Sequence, residues 1–408
     1  MEKILIIGNG FDLAHKLPTT YRDFLDFCRL YSDFTENKES VSKISETEFN
    51  KLAEHKQNAG ELNSVNRHLM NALKIILTGT AHKMNTAFSN VETEFRQLIQ
   101  NNCWLAYFEY KKEQLGGNWI DFETEISKVL HSFQSAVQNI AESPGPYARF
   151  GSDYPDPYFL FKYYFPEDMN EADLFAAFPN WLCEDKAPRF INEELTAHLD
   201  RLIRALEIYL SVIVANIRPE KVRMQLPEIT QNSFDYVLSF NYTDTFRRFY
   251  PHANIRFCFI HGKAEAGHNR QTCDLVLGIH DHPQEEGPQE FTDAVLPFKK
   301  FYQRIYKGTD DDYLDWLDYI HAMKDRQFEL HIFGHSLDIT DKEVLSAFLL
   351  NDNVRTKIYY YRKSENDKTE MGRQIRNLIR IIGAEELIRK TGGSGRTIEF
   401  IPLKPQES

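Results

Sequence analysis

Residues 4–18 read Ile-Leu-Ile-Ile-Gly-Asn-Gly-Phe-Asp-Leu-Ala-His-Lys-Leu-Pro, and no other stretch of the chain restricts its fold so strongly. Four consecutive apolar residues stop at a glycine pair, and a helix-like segment follows at once. A short continuous apolar run suits a strand covered on both faces, and such strands belong to parallel sheets flanked by helices. Gly8 and Gly10 let the chain turn tightly and let another group approach the backbone, while free N–H groups at the start of the next helix would face an anion. The spacing therefore predicts a strand, a phosphate-cradling turn and a helix, or the same turn without a ligand. The dinucleotide fingerprint G-x-G-x-x-G needs a third glycine at position 13. This chain has Leu13 there, which argues against a standard dehydrogenase.

Further strand-like segments rich in β-branched and aromatic residues occur at 234–241, 255–261, 274–279, 328–334, 357–362 and 397–402. Helical patterns follow several of them, at 21–30, 342–350 and 371–381. Strands alternating with helices give an α/β fold with a doubly wound, mostly parallel, Rossmann-like sheet. Between about residues 40 and 225 the pattern changes to long segments of helical period, at 62–76, 91–99, 122–140 and 195–217. The expected organisation is thus a sheet domain from residues 1–39 and 226–408, interrupted by a helical insertion over 40–225 with a regulatory or oligomerising role. The aromatic-rich stretch 147–178 is packing for the most part, with some rings free to line a cleft.

Composition narrows the function. With 408 residues, 42% of them hydrophobic, the chain can bury a large core. A formal net charge of -12 disfavours an extended nucleic-acid footprint, which needs clustered Lys and Arg. Cys28, Cys103, Cys183, Cys258 and Cys273 form no C-x-x-C pair, so neither a disulfide frame nor a cysteine zinc site is expected. The apolar run Ile4 to Ile7 is too short for a signal-peptide core, and no run reaches the ~20 residues of a membrane span, so the expected location is the cytoplasm with no membrane partner.

Three motifs fall at or after strand ends, where open α/β sheets hold ligands. They are Ser239-Phe240-Asn241-Tyr242-Thr243-Asp244, His261-Gly262 and Gly334-His335-Ser336-Leu337-Asp338. Together with the first turn they bring glycine loops, an amide and an imidazole to one sheet edge. Asn241 reads either as a ligand-orienting amide or as a strand-ending turn, and His261 as a base or as a packed histidine before a Gly turn. Ser336 lacks the G-x-S-x-G elbow of a hydrolase nucleophile, because Asp338 stands at the last position. His280-Asp281-His282 has no second ligand cluster and reads as loop histidines rather than a metal site.

These ordered motifs resemble the sirtuin superfamily, and the first 25 residues look like the AbiH family of phage abortive-infection proteins. The sirtuin pattern G-A-G-x-S-x-x-x-G-I-P is met by Gly8, Gly10, Leu17 and Pro18 at the same spacing. Asn241-Tyr242-Thr243-Asp244 is similar to the sirtuin Gln-Asn-x-Asp segment with one extra residue, His261-Gly262 to its His-Gly, and Gly334-His335-Ser336-Leu337 to its late Gly-Thr-Ser-Leu turn. The resemblance implies NAD at the carboxyl edge of the sheet. It assigns NAD contacts to Gly8, Asn9, Gly10, Phe11, Asp12, Pro18, Asp244, Gly334 and Ser336, with Asn241 orienting ribose or water and His261 as general base. Asp12 replaces the sirtuin serine and either meets a ribose hydroxyl or caps the helix. No zinc-binding cysteine pairs are present, so deacylation is not expected.

The expected activity is an NAD+ glycohydrolase of antiphage defence that releases nicotinamide and ADP-ribose and needs no metal. The alternatives are a non-catalytic NAD or ADP-ribose sensor gating a partner, and a metal-dependent nuclease. A homo-oligomer or a complex with a defence partner is expected, with nucleic acid not a direct substrate. Glu123, in Asn118-Trp119-Ile120-Asp121-Phe122-Glu123, starts a helix or reaches the cleft.

Overall fold

The computed structural model describes residues 1–35, 43–114, 121–142, 150–164, 170–183, 186–217, 226–251, 254–279 and 289–403. By compactness the chain divides into a sheet unit, Met1–Thr19 with Ile213–Glu265 and Gly308–Ser408, and a helical unit, Thr20–Val212 with Ala266–Lys307.

The sheet unit carries six strands: β1 (Lys3–Ile7), β2 (Tyr236–Ser239), β3 (Arg256–Phe259), β4 (Phe328–Phe333), β5 (Val354–Tyr360) and β6 (Ile398–Pro402). Their order is β3-β2-β1-β4-β5-β6 and every pairing is parallel. The fold class is α/β, and this order is that of Rossmann-like sheets, with its reversal between β1 and β4. The register places Ile7 opposite Ser239 on one side and Phe333 on the other, so Gly8, Phe240 and Gly334 leave the sheet side by side.

Both faces of the central strands are buried, which explains the unbroken apolar runs of β1 and β2, while β4 buries Glu329 and His331 among its apolar residues. On one face Ile4, Ile6, Leu238, Leu330 and Ile332 pack with Trp316, Leu317, Leu345 and Phe348 from the helices Tyr313–Ala322 and Lys342–Leu349. On the other, Phe11 meets Phe333 edge-on at 5.9 Å and stacks on Phe246 at 6.1 Å.

The helical unit is held by rings. Phe27, Tyr31, Phe88 and Phe95 pack on one another, and Phe27 also meets Tyr209 at 5.2 Å. That is why helix Tyr21–Thr35 belongs here, although the composition shift marks the boundary only near residue 40. A fully buried Arg204 pairs with Glu207 at 2.7 Å and with both oxygens of Glu94 at 2.8 and 3.1 Å. The rings of Tyr158, Phe161, Phe178 and Trp181 from the aromatic-rich stretch and its flank pack together, as structural rings do.

One expected strand is absent from the sheet. Residues 274–279 form no strand of the sheet and are buried from Leu275 on, but they lie in the helical unit and pair with a side chain and a turn. Gln303 accepts the Leu277 N–H at 3.0 Å through Oε1 and donates to its carbonyl through Nε2, while Ile279 exchanges bonds with Phe298 and Lys300. An apolar run can be buried by helices as well as by strands, and periodicity does not separate the two.

Candidate functional site

The two glycine turns that end β1 and β4 are pressed backbone to backbone. Gly8 donates to the Phe333 carbonyl at 3.2 Å and Gly10 to the Gly334 carbonyl at 2.8 Å. A Cβ at Gly10 would lie 2.7 Å from Gly334 Cα, and one at Gly334, where φ is +68°, would lie 2.2 Å from the Phe11 nitrogen. The close approach that these glycines permit is thus made by the neighbouring turn, and the N–H groups of Gly8 and Gly10 are already given to protein carbonyls. Asn9 ties the turn to Thr19, accepting from its hydroxyl at 2.6 Å and donating to its carbonyl at 3.3 Å. Pro18 is buried behind it, and the Phe11 ring is core.

Asp12 sits in the short helix Asn9–Ala14 and is 1% exposed. Its Oδ2 accepts from the Thr243 hydroxyl at 2.5 Å, and Thr243 in turn accepts from Thr245 at 3.1 Å. Its Oδ1 is buried and takes no hydrogen bond among the described residues. Burial raises the carboxyl from 3.8 to about 6, against the pull of Thr243, Thr245 and Asn241. Asp12 therefore does not cap the helix, whose cap position is Gly8 with no side-chain cap bond.

Asn241 follows β2 and is buried. Its Nδ2 donates to the Gly8 carbonyl at 3.0 Å, a pure acceptor that fixes which end of the amide faces inward. No protein group donates to its Oδ1 among the described residues, which leaves a carbonyl acceptor on offer to a ligand.

His261 and Gly262, the latter at φ +78°, follow β3. His261 Nε2 lies 3.1 Å from Asp341 Oδ1, and His335 Nε2 lies 3.5 Å from Asp341 Oδ2, so one carboxylate faces two imidazoles. The tautomers follow from the partners. His335 Nδ1 accepts the Leu337 N–H at 2.9 Å, so its proton is on Nε2. Toward an ionised Asp341, which only accepts, His261 also presents Nε2–H, and its basic nitrogen is Nδ1. The Phe240 ring is roughly perpendicular to both imidazoles, at 5.5 and 4.4 Å. Nothing in the sequence marks Asp341 as a site residue; it lies seven residues past Gly334, as the last residue of a short 3-10 turn, Ile339–Asp341, that Asp338 caps through the Thr340 N–H.

The remaining candidates are more loosely placed. Asp244 is half-buried, 3.6 Å from both Lys263 and Arg247. Ser336 accepts the Asn377 amide through its backbone carbonyl at 2.9 Å. Glu123, in the helical unit, forms an ion pair with buried Lys300 at 2.9 Å. His280-Asp281-His282 and Asn118-Trp119-Ile120 lie outside the described residues.

A second polar cluster, Glu207, His268 and Asp274, lies in the helical unit with its donor atoms within 4.8 Å of one another. Glu207 is engaged there by Arg204 at 2.7 Å and by His268 at 2.6 Å, as a buried ion network requires. Cys28, Cys103, Cys258 and Cys273 are free and buried, and burial pushes the Cys103 thiol up to about 12, far from a nucleophile's range.

No described helix is long and apolar enough to cross a membrane. No curated protein and no solved structure matches the chain. The model of the bacteriophage abortive infection AbiH family matches residues 4–361, a span that holds both glycine turns, Asn241, His261 and Asp341, and the chain belongs to that phage-defence family.

Proposed function

We propose that this chain defends against phage by hydrolysing the bond between nicotinamide and ribose in NAD+, with His261 as general base. The observation that carries the reading is the pairing of His261 with Asp341 at the carboxyl edge of a Rossmann-ordered sheet, beside the switch point where such sheets bind nucleotides. Loss of nicotinamide leaves an oxocarbenium-like ribosyl centre. A water oxygen then bonds to its C1, His261 Nδ1 takes the water proton, and the products are nicotinamide and ADP-ribose. Asp341 holds the Nε2–H of His261 and stabilises the imidazolium that forms. The free Oδ1 of Asn241 accepts from a ribose hydroxyl or from the attacking water.

The sirtuin-like reading gains support from Lys16. It holds φ +62° at the place where the resembling pattern carries its third glycine, so the backbone keeps a left-handed turn that the side chain disfavours. Because Gly8 and Gly10 donate to carbonyls, we assign the pyrophosphate no contact with those two N–H groups. An unrestrained NAD+ hydrolase would harm its host, and we assign restraint to the helical unit, through self-association or a defence partner.

The test is to incubate the purified chain with NAD+, with ADP-ribose and with RNA across a range of protein concentrations. Nicotinamide release is expected from NAD+ alone, with Asn241→Ala and His261→Ala each slowing it about a hundredfold or more while the far-UV spectrum stays unchanged. Full turnover in either variant would overturn the assignment. NAD+ binding without turnover would leave a sensor, and RNA cleavage a nuclease.

A further inference from the structure

Asp12 and Asn241 come from different strand ends, yet among the described residues the carboxylate has one oxygen with no bond and the amide makes one bond with its two N–H groups. Asn241 Nδ2 carries two protons, and one goes to the Gly8 carbonyl at 3.0 Å. The Asn241 amide is among the groups that act on the Asp12 carboxylate, whose Oδ1 is buried without a hydrogen bond among the described residues. A buried oxygen in that state requires an explanation. Catalytic hydrogen bonds are often long before a ligand is bound and shorten in the complex.

We infer that Asp12 is the positioning residue of Asn241: its ionised carboxylate attracts the second amide N–H, so both amide protons point inward and Oδ1 faces the substrate. This rests on the NAD+ reading for the identity of the substrate, but the device itself belongs to the chain alone. Protonation of Asp12 removes that attraction and frees the amide to turn. The carboxyl sits at about 6, raised by burial, so the device switches within the accessible pH range. The groups that act on Asp12 from the segment after β2 are the neutral Asn241 and Thr243 of the loop and Thr245 at the start of the helix that follows. Asp244, Arg247 and Lys263 lie farther along the chain and pair among themselves. At the end of its own helix, the cap residue His15 is bound at both nitrogens, to the Phe11 carbonyl and to Tyr250. Further titratable groups in the segments at this edge are Tyr242, Tyr250, His261, His335, Asp338 and Asp341.

The experiment follows the side-chain amide of Asn241 by NMR in the full chain with 15N-labelled asparagine, between pH 5 and 8, and assigns it by its loss in Asn241→Gln. A titration with midpoint near 6 is expected in the parent chain. The same midpoint should appear in His261→Ala and His335→Gln, a raised one in Thr243→Val, and none in Asp12→Asn. A flat parent resonance, or a midpoint that persists in Asp12→Asn, overturns the inference. If Asp12→Asn does not fold, the Thr243→Val shift and the two histidine variants still decide the case. This readout needs no NAD+, so a chain that titrates as described yet releases no nicotinamide would refute the proposed reaction and leave the positioning role standing.

Discussion

The backbone contact between the two glycine turns makes a sharp prediction about stability. At Gly334→Ala two costs combine. A left-handed alanine is disfavoured by about 1–2 kcal/mol, and φ there is +68°. The new Cβ would also stand 2.2 Å from the Phe11 nitrogen, a backbone atom that cannot swing away as a side chain can. Forcing a methyl group into filled space costs roughly 1–3 kcal/mol. The sum is about 2–5 kcal/mol, or roughly 4–20 °C in Tm for a domain of this size. Two controls separate the terms. Gly393→Ala, at φ +69° with no atom within 4 Å of the new Cβ, has the strain alone. Gly10→Ala, inside a helix with the new Cβ 2.7 Å from Gly334 Cα, has the contact alone. Urea unfolding of the three variants should place Gly334→Ala below each of the others. If Gly334→Ala is no worse than Gly393→Ala, or if Gly10→Ala is neutral, the turns are not packed as described.

Asp341→Asn should lower NAD+ turnover by about 10²–10⁴-fold with little change in Tm, because an amide can donate to His261 and no longer fixes Nε2–H; steady-state kinetics with a parallel melting curve checks both halves. Asp12→Asn should stabilise the protein at pH 7.5. The folded pKa of about 6 exceeds the ordinary 3.8, so the native state binds the proton more tightly and loses stability as pH rises from about 4 to 6. The penalty that the variant removes is of the order of 1–3 kcal/mol, and the gap between the two proteins in urea unfolding should close toward pH 4.

The sheet was legible chiefly from its central strands, whose burial on both faces turns β1 and β2 into continuous apolar runs. Residues 274–279 show the limit of that signal, since Gln303 supplies from a side chain the bonds that a neighbouring strand would give. Asn241 and His261 were legible because each closes a strand. Asp341 was not, because what makes it matter is the convergence of two imidazoles from β3 and β4 on its two oxygens. The glycines illustrate a third case. Their spacing correctly marks a place where something comes close to the backbone, but Gly10 and Gly334 meet each other, and a linear pattern has no means of saying so.

The costs in this unit are not evenly spread. Among the described residues only Lys16, Asn101 and Leu337 are non-glycine residues with positive φ, and two of the three lie in the segments that follow β1 and β4. Each such residue costs about 1–2 kcal/mol. In the same place lie Asp12, a carboxylate with one oxygen unbonded among the described residues, and two glycine turns packed too tightly for any side chain. Any one of these could be a tolerated imperfection. Their collection at the carboxyl edge next to the switch point is harder to explain by packing alone, since apolar residues with ordinary dihedrals would close the end of a parallel sheet at less cost. Strain and buried charge persist where the surrounding structure overdetermines them, and such sites are those at which a chain departs from its own folding rules for function. The energetics of the turns themselves therefore mark this edge, whatever its ligand. Leu337 shows the link most directly: a left-handed residue, it gives its N–H to His335 Nδ1, which turns His335 Nε2 toward the carboxylate of Asp341 that His261 also faces.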